Sequence, residues 1–136
     1  MEENNRFYKY FEDFAPKYVK YRKRFSYYWN DVIHYNNYYI TNDQSVLEIG
    51  CGTGETLAKL HGKRKVGIDF SPAMIEIAKE RYPDLDFRVM AAENIELNEK
   101  FDVIVLPNVI GYFDNVIDVF NELKKVCHDD TKLIIS

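Results

Sequence analysis

Large aromatic residues at intervals of three and four fill positions 7–40, whereas from about residue 45 onward short apolar runs alternate with stretches of helical spacing. In the first part Phe7, Tyr10, Phe11, Phe14 and Tyr18 mark one face of an amphipathic helix, with Pro16 a point of bending or interruption. A second helix is expected from about Phe25 to Tyr39, and Thr41-Asn42-Asp43-Gln44-Ser45 has the chemistry of a surface connection. Val46-Leu47-Glu48-Ile49 then predicts a strand ending at a glycine cluster, followed by a helix over Thr56 to Leu60. Lys65-Val66-Gly67-Ile68 predicts a second strand. Ser71 is the expected N-cap of the next helix, with Pro72 at its first position and Met74, Ile75 and Ala78 on one face. Asp86 to Val89 and Asp102 to Leu106 predict strands three and four. Asp114 is expected to cap a helix whose Val116, Ile117, Phe120 and Leu123 face inward, before Lys132-Leu133-Ile134-Ile135 begins a fifth strand. Alternating strand and helix predicts an α/β fold, a doubly wound and mostly parallel sheet covered on both faces. Residues 1–40 form its helical extension and residues 41–136 its core.

Composition narrows the class. With 136 residues, 18 Lys+Arg against 22 Asp+Glu and 46% apolar positions, the chain fits one globular domain of net charge −4. Its longest apolar runs, such as Val103 to Leu106, fall far short of the ~18 residues of a membrane span. Met1-Glu2-Glu3-Asn4-Asn5 lacks the basic-then-apolar layout of a secretion leader, which gives a cytoplasmic reading. Cys51 and Cys127 make no CxxC pair, and His34, His61 and His128 show no ligand spacing with them, so neither a disulfide nor a metal site is expected. Cys51 reads as a small inert residue, His61 and His128 as exposed loop residues. Lys17 to Arg24 holds five basic residues among aromatics. It suits an anionic partner or a solvated helix face, and the acidic balance of the whole favours the solvated face over nucleic-acid binding.

The chemistry concentrates after strand one. Sheets of this class bind ligands outside the carboxyl ends of the strands where strand order reverses, which directs attention to Gly50-Cys51-Gly52-Thr53-Gly54, to Asp69 and to Pro107-Asn108. Missing Cβ atoms in the loop allow a tight turn and a ligand against the amides. A dinucleotide fingerprint, G-x-G-x-x-G, requires glycine or alanine at position 55, which is glutamate. Glu48 and Glu55 are expected to face the place of a pyrophosphate, where one like-charge pair at ~5 Å and an effective dielectric of ~20 costs about 3 kcal/mol. A cationic, phosphate-free ligand suits the same carboxylates. Asp69 fits the ribose of either kind of cofactor.

At these residues the chain closely resembles the class I S-adenosylmethionine (SAM)-dependent methyltransferases. Glu48-Ile49-Gly50-Cys51-Gly52-Thr53-Gly54 is similar to their first motif, E/D-x-G-x-G-x-G, and Val66-Gly67-Ile68-Asp69-Phe70-Ser71 to their second. The resemblance covers residues 46–136 and implies a Rossmann-like sheet of order 3-2-1-4-5. It further implies that Glu48, Gly50, Cys51, Gly52 and Gly54 lie against the methionine part of SAM, Asp69 holds the ribose hydroxyls and Phe70 covers one face of the adenine. Met90-Ala91-Ala92-Glu93 aligns with the third motif; Ala91 stands where an acidic residue is common, leaving Ala92 and Glu93 as the adenine contacts. Leu106-Pro107-Asn108 matches the segment beside the transferred methyl, and an aromatic near Tyr18 closes over the cofactor from the N-terminal helix.

The implied activity is methyl transfer from SAM, leaving S-adenosylhomocysteine, to an unidentified acceptor. No residue declares itself as a general base, so O-, N- and C-methylation stay open. Two other readings stand beside it: a non-catalytic SAM-binding module, and an NAD(P)-linked oxidoreductase. The layout is also similar to methyltransferase domains joined to a family 2 glycosyltransferase, which implies a small-molecule or glycan-type acceptor. The family continues into two further strands, whereas Ser136 lies in strand five; the expectation is a longer polypeptide or self-association through that strand's edge.

Overall fold

The computed structural model describes residues 5–136. Two helices open it, α1 (Tyr8–Arg24) and α2 (Ser26–Tyr38), followed by β1 (Ser45–Ile49), α3 (Glu55–Lys59), β2 (Arg64–Asp69), α4 (Pro72–Arg81), β3 (Asp86–Val89), β4 (Phe101–Leu106), a 3-10 turn (Ile110–Tyr112), α5 (Val116–Lys125) and β5 (Cys127–Ile135). The five strands form one parallel sheet of order β3-β2-β1-β4-β5, so strand order reverses between β1 and β4.

Both faces of the sheet are covered, which is why its strands read as unbroken apolar runs. On one face Leu47, Ile49, Val66, Ile68, Ile104 and Leu106 pack with Val119 and Leu123 of α5. On the other, Val46, Val103 and Val105 meet Ile33 of α2, Leu57 of α3 and Ile75 of α4. Period-two alternation places Glu48 on the second face, together with Val46 and beneath the N-terminal helices.

Several local expectations hold in detail. Ser71 caps α4 by accepting from the Met74 amide at 3.2 Å, Pro72 occupies its first turn, and Met74, Ile75 and Ala78 are buried. Others need correction. α1 continues through Pro16 without interruption; an interior proline costs ~3 kcal/mol, and ring contacts of Phe11 and Phe14 before it and of Tyr18 after it offset part of that cost. The N-cap of α5 is Asn115, whose side chain accepts from the amides of Ile117 and Asp118 at 3.0 and 3.2 Å, while the Asp114 amide donates to Glu93. The buried face of α5 accordingly centres on Val119 and Leu123. Val116 and Ile117 sit in a first turn outside the packed layer, Ile117 at 72% exposure.

β5 also begins earlier than its apolar run. Phe101 pairs with Cys127 but Val103 with Lys132, so residues 128–131 are looped out of the register. The loop is pinned: His128 Nε2 lies 2.8 Å from Asp102 Oδ1, the Asp130 amide donates to His128 Nδ1, and the Thr131 hydroxyl donates to the Phe101 carbonyl. His128 is therefore a half-buried strand residue with two polar partners, whereas His61 is exposed as expected.

Candidate functional site

The carboxyl ends of β1, β2 and β4 surround a cavity of about 260 Å³, roofed by α1 and the start of α2. Its floor is built by the glycine loop. The amides of Gly50 and Cys51 both donate to the Ile68 carbonyl at 2.8 and 3.0 Å, which bends the chain away from β1. Gly50 has φ +72°, and a Cβ there would come within 2.5 Å of Val109 Cγ1. Gly52 has φ +54° and lies under the Tyr18 ring, 3.0 Å from where its Cβ would stand. Only glycine adopts these angles without strain.

Asp69, at the end of β2, completes the floor. Its Oδ2 accepts from the Gly52 amide at 2.9 Å and its Oδ1 from the Ser71 amide at 3.0 Å. Each oxygen keeps a further lone pair, and the carboxyl lines the cavity. Burial pushes its pKa up to about 6, although the two amides act in the opposite direction. The same side chain thus fixes the loop and offers acceptors to a ligand, a double role that sequence reasoning did not assign.

Glu48 and Glu55 have opposite environments. Glu55 is bound to Arg81, accepts from the Thr53 hydroxyl at 2.6 Å, and has Arg22 Nη1 at 4.0 Å. It does not line the cavity, so the expected repulsion between Glu55 and a diphosphate does not operate. Position 55 still departs from the dinucleotide fingerprint, but its charge is spent on two arginines. Glu48 does line the cavity, is 2% exposed, and leaves Oε1 without a partner. Burial lifts its pKa to about 8 despite the nearby Arg22 guanidinium.

Other predicted residues divide in the same way. Tyr18, Phe70, Ala92 and Glu93 line the cavity with Gly50 and Gly52. Cys51 does not: its side chain packs beneath Gly67 in the core, and burial drives its thiol pKa well above the ordinary value. Gly54 is needed for packing, since a Cβ there would meet Phe87 and Tyr82 at 2.7 and 3.0 Å. Leu106 is wholly buried on the α5 face, and the wall beyond β4 is Pro107, Asn108 and Val109. Asn108 takes φ +55° and is hydrogen-bonded to the Tyr28 hydroxyl.

The roof is aromatic. Phe11 stands edge-on to both Phe70 and Tyr112, with centroids 5.8 and 5.0 Å away, and Phe14, Tyr18 and Tyr21 continue the row. Glu12 fastens α1 to the start of α4 by accepting from the Ser71 hydroxyl and, at 3.0 Å, from the Ala73 amide. From these helices sequence reasoning placed only Tyr18 at the site; it missed the other rings of the roof and, among its polar groups, Arg22 and the Trp29 indole. The signal for Arg22 was available: Phe11, Ala15, Tyr18 and Arg22 follow spacings of four, three and four, which put the arginine on the inward face and not on the solvated one.

Residues 47–135 match the family described as "Methyltransferase domain". The chain belongs to this methyltransferase domain family. Among curated relatives, malonyl-[acyl-carrier protein] O-methyltransferase 1 of Ilyobacter polytropus is 33% identical over 99 residues, covering 68% of this chain and 37% of that protein. Among solved structures, a SAM-dependent methyltransferase of Thermotoga maritima superposes with a TM-score of 0.78 at 23% identity, over 94% of this chain and 60% of that one. The N-methyltransferase NodS of Bradyrhizobium japonicum WM9, in complex with S-adenosylhomocysteine, gives 0.69 at 23% identity, over 81% and 60%. At 94% coverage, the Thermotoga likeness extends the fold beyond the family match into the N-terminal helices. The chain spans 34–38% of the length of the first three curated relatives.

Proposed function

We propose that this domain binds SAM along the cavity floor and serves methyl transfer to a small-molecule acceptor. The observation that carries the reading is the buried Glu48 carboxyl with an unpartnered oxygen beside the glycine loop. An orphaned buried carboxyl is costly unless a donor or cation meets it, and SAM brings both an ammonium and a sulfonium. The rest of the floor fits the same ligand. Gly50 and Gly52 present bare backbone where a Cβ would close the cradle, Asp69 has acceptors left for a pair of ribose hydroxyls, and Phe70, Ala92 and Glu93 supply the edge on which an adenine would rest.

SAM supplies the chemistry as a methyl group on a good neutral leaving group, so the chain needs to align the partners and exclude water. The aromatic roof is suited to both tasks. At the end of β4, Asn108, held by its bond to the Tyr28 hydroxyl, offers polar atoms where an acceptor would approach. O-methylation is supported by the relative named for malonyl-[acyl-carrier protein], while no cavity residue is placed as an obligatory base. Calorimetric titration with SAM, S-adenosylhomocysteine and NADH tests the reading. Binding of the first two and not the third is expected; saturable binding of NADH alone overturns it in favour of an oxidoreductase.

A further inference from the structure

Along the outer side of α1, Tyr10, Phe14, Lys17, Tyr21 and Arg24 follow spacings of four, three, four and three, which sets them in one stripe about 20 Å long. Its rings make a continuous row. Tyr10 stacks on Phe14 with centroids 5.6 Å apart, Phe14 meets Tyr21 at 5.7 Å, and Tyr21 meets Phe25 at 5.0 Å. Tyr10 and Tyr21 line the cavity and also reach solvent, at 56% and 37% exposure, so the stripe is the rim of the site.

The same stripe is cationic in an acidic protein. Residues 17–24 carry five cations and no acid, whereas the other 128 residues carry 13 Lys and Arg against 22 Asp and Glu. Arg22 turns inward; Lys17, Lys20, Lys23 and Arg24 are exposed. The acids preceding them on α1 are engaged elsewhere, Asp13 by Lys9 and Glu12 by Ser71 and Ala73. Among the described residues, Lys17, Lys20 and Lys23 have no side-chain hydrogen bond or ion pair, and Arg24 meets only the Phe25 ring. The helix dipole accounts for basic residues in the last turn. Lys17 lies two turns before it.

Charge complementarity selects the occupant. A long polyanion would run from four free cations onto the acid excess of the remaining surface, and a merely solvated face has no use for a row of rings. A small molecule with an anionic group on a flat or apolar body matches both features, its body on the rings and its anion between Lys17 and Arg24, about 10 Å apart along the axis. We infer that this stripe receives the methyl acceptor and that the acceptor carries a phosphate or carboxylate. The inference rests on the SAM reading above and adds the acceptor's charge to it.

Fluorescence titration of the protein saturated with S-adenosylhomocysteine, using 2-naphthyl phosphate, 2-naphthoate and 2-naphthol, tests it. At least one anion is expected to bind about fivefold or more tightly than naphthol, the value of two exposed charge contacts, and the tighter of the two identifies the headgroup. Lys17→Gln/Arg24→Gln should bring that preference to within about twofold of none. Lys20→Gln/Lys23→Gln removes the same charge off the stripe and should keep most of it. Tyr21→Ala should weaken all three probes by about threefold. Equal affinity of the parent for the three probes, equal losses in the two double variants, or unchanged affinities in Tyr21→Ala overturns the inference and leaves SAM binding standing. Retention on vesicles of mixed phosphatidylcholine and phosphatidylserine, abolished by Lys17→Gln/Arg24→Gln, would assign the stripe to a membrane surface and overturn it too. Failure of S-adenosylhomocysteine to bind the parent in calorimetry overturns both readings.

Discussion

Floor and roof of the cavity are made of different material. The floor, at the ends of β1 and β2, is backbone and carboxyl: Gly50, Gly52, Glu48 and Asp69, held by amides at 2.8–3.0 Å. The roof is side chain, with aromatic rings on α1 crossed by one buried arginine. The floor is fixed by hydrogen bonds that the sheet itself supplies, so its geometry is tied to the fold. The roof is joined to the sheet by a few polar links, chiefly Glu12 to Ser71 and Ala73 and Arg22 to Thr56. A site divided in this way can keep a rigid cradle while its cover opens, because the links broken on opening are not those that shape the cradle.

The largest expected effect lies on the floor. On the proposed SAM reading, Asp69→Ala removes acceptors for two ribose hydroxyls at ~1.5–3 kcal/mol each, and it also frees the Gly52 amide. Affinity for S-adenosylhomocysteine should fall about a hundredfold or more; unchanged calorimetric affinity would break the assignment of the floor as the ligand side. Next, Gly50→Ala drives a Cβ to 2.5 Å from Val109 at a left-handed φ and should cost about 1–3 kcal/mol of stability, read as a lower unfolding midpoint. Gly111→Ala, where an added Cβ meets nothing within 4 Å, is the control and should stay within about 0.5 kcal/mol.

Glu48 gives a test by pH. Burial lifts its pKa to about 8, so it is protonated in the ligand-free protein at neutral pH, whereas a cation requires it ionised. SAM affinity should rise as pH goes from about 6.5 to 8.5, by up to about 25-fold, and stay flat in Glu48→Gln. The window lies above the Asp69 value of about 6, which keeps the two carboxyls distinguishable. The sign for stability is the reverse. A carboxyl whose folded pKa is raised contributes stability that is fully present below its ordinary value and lost as pH rises through 8. Glu48→Gln should therefore melt above the parent at pH 8.5 and no higher at pH 4; equal melting at both would mean that Glu48 has found a partner.

The smallest expected effect belongs to the roof. Glu12→Ala removes the link between α1 and the start of α4, worth ~1 kcal/mol. Amide exchange should quicken in α1 and remain unchanged in β1, β2 and β4, as followed by mass spectrometry. Uniform acceleration across the sheet would show that floor and roof open together.

Periodicity and turn chemistry sufficed for the strand sequence, the Ser71 cap and the glycine loop, since each depends on residues within one turn or strand of each other. The motif at residues 48–54 and Asp69 named the floor for the same reason. Errors arose where the deciding neighbour was distant in sequence. The sequence sets Glu55 facing the ligand because nothing local reveals Arg81, 26 residues away, as its partner. The sequence places His128 in a loop because its partner, Asp102, is distant in sequence, and it offers Asp114 as the cap of α5 where the fold uses Asn115 and binds the Asp114 amide to Glu93.

By itself, then, the chain's order of residues determined an alternating α/β sheet, a tight glycine turn after β1 and an acid after β2, all of them products of local backbone preference and burial on two faces. Only the tertiary structure decided which of the two glutamates keeps an unpartnered carboxyl oxygen, which basic residue of Lys17–Arg24 turns inward, and which glycines serve packing. Burial and ion pairing are properties of what surrounds a side chain, and here those surroundings come from helices and strands tens of residues away.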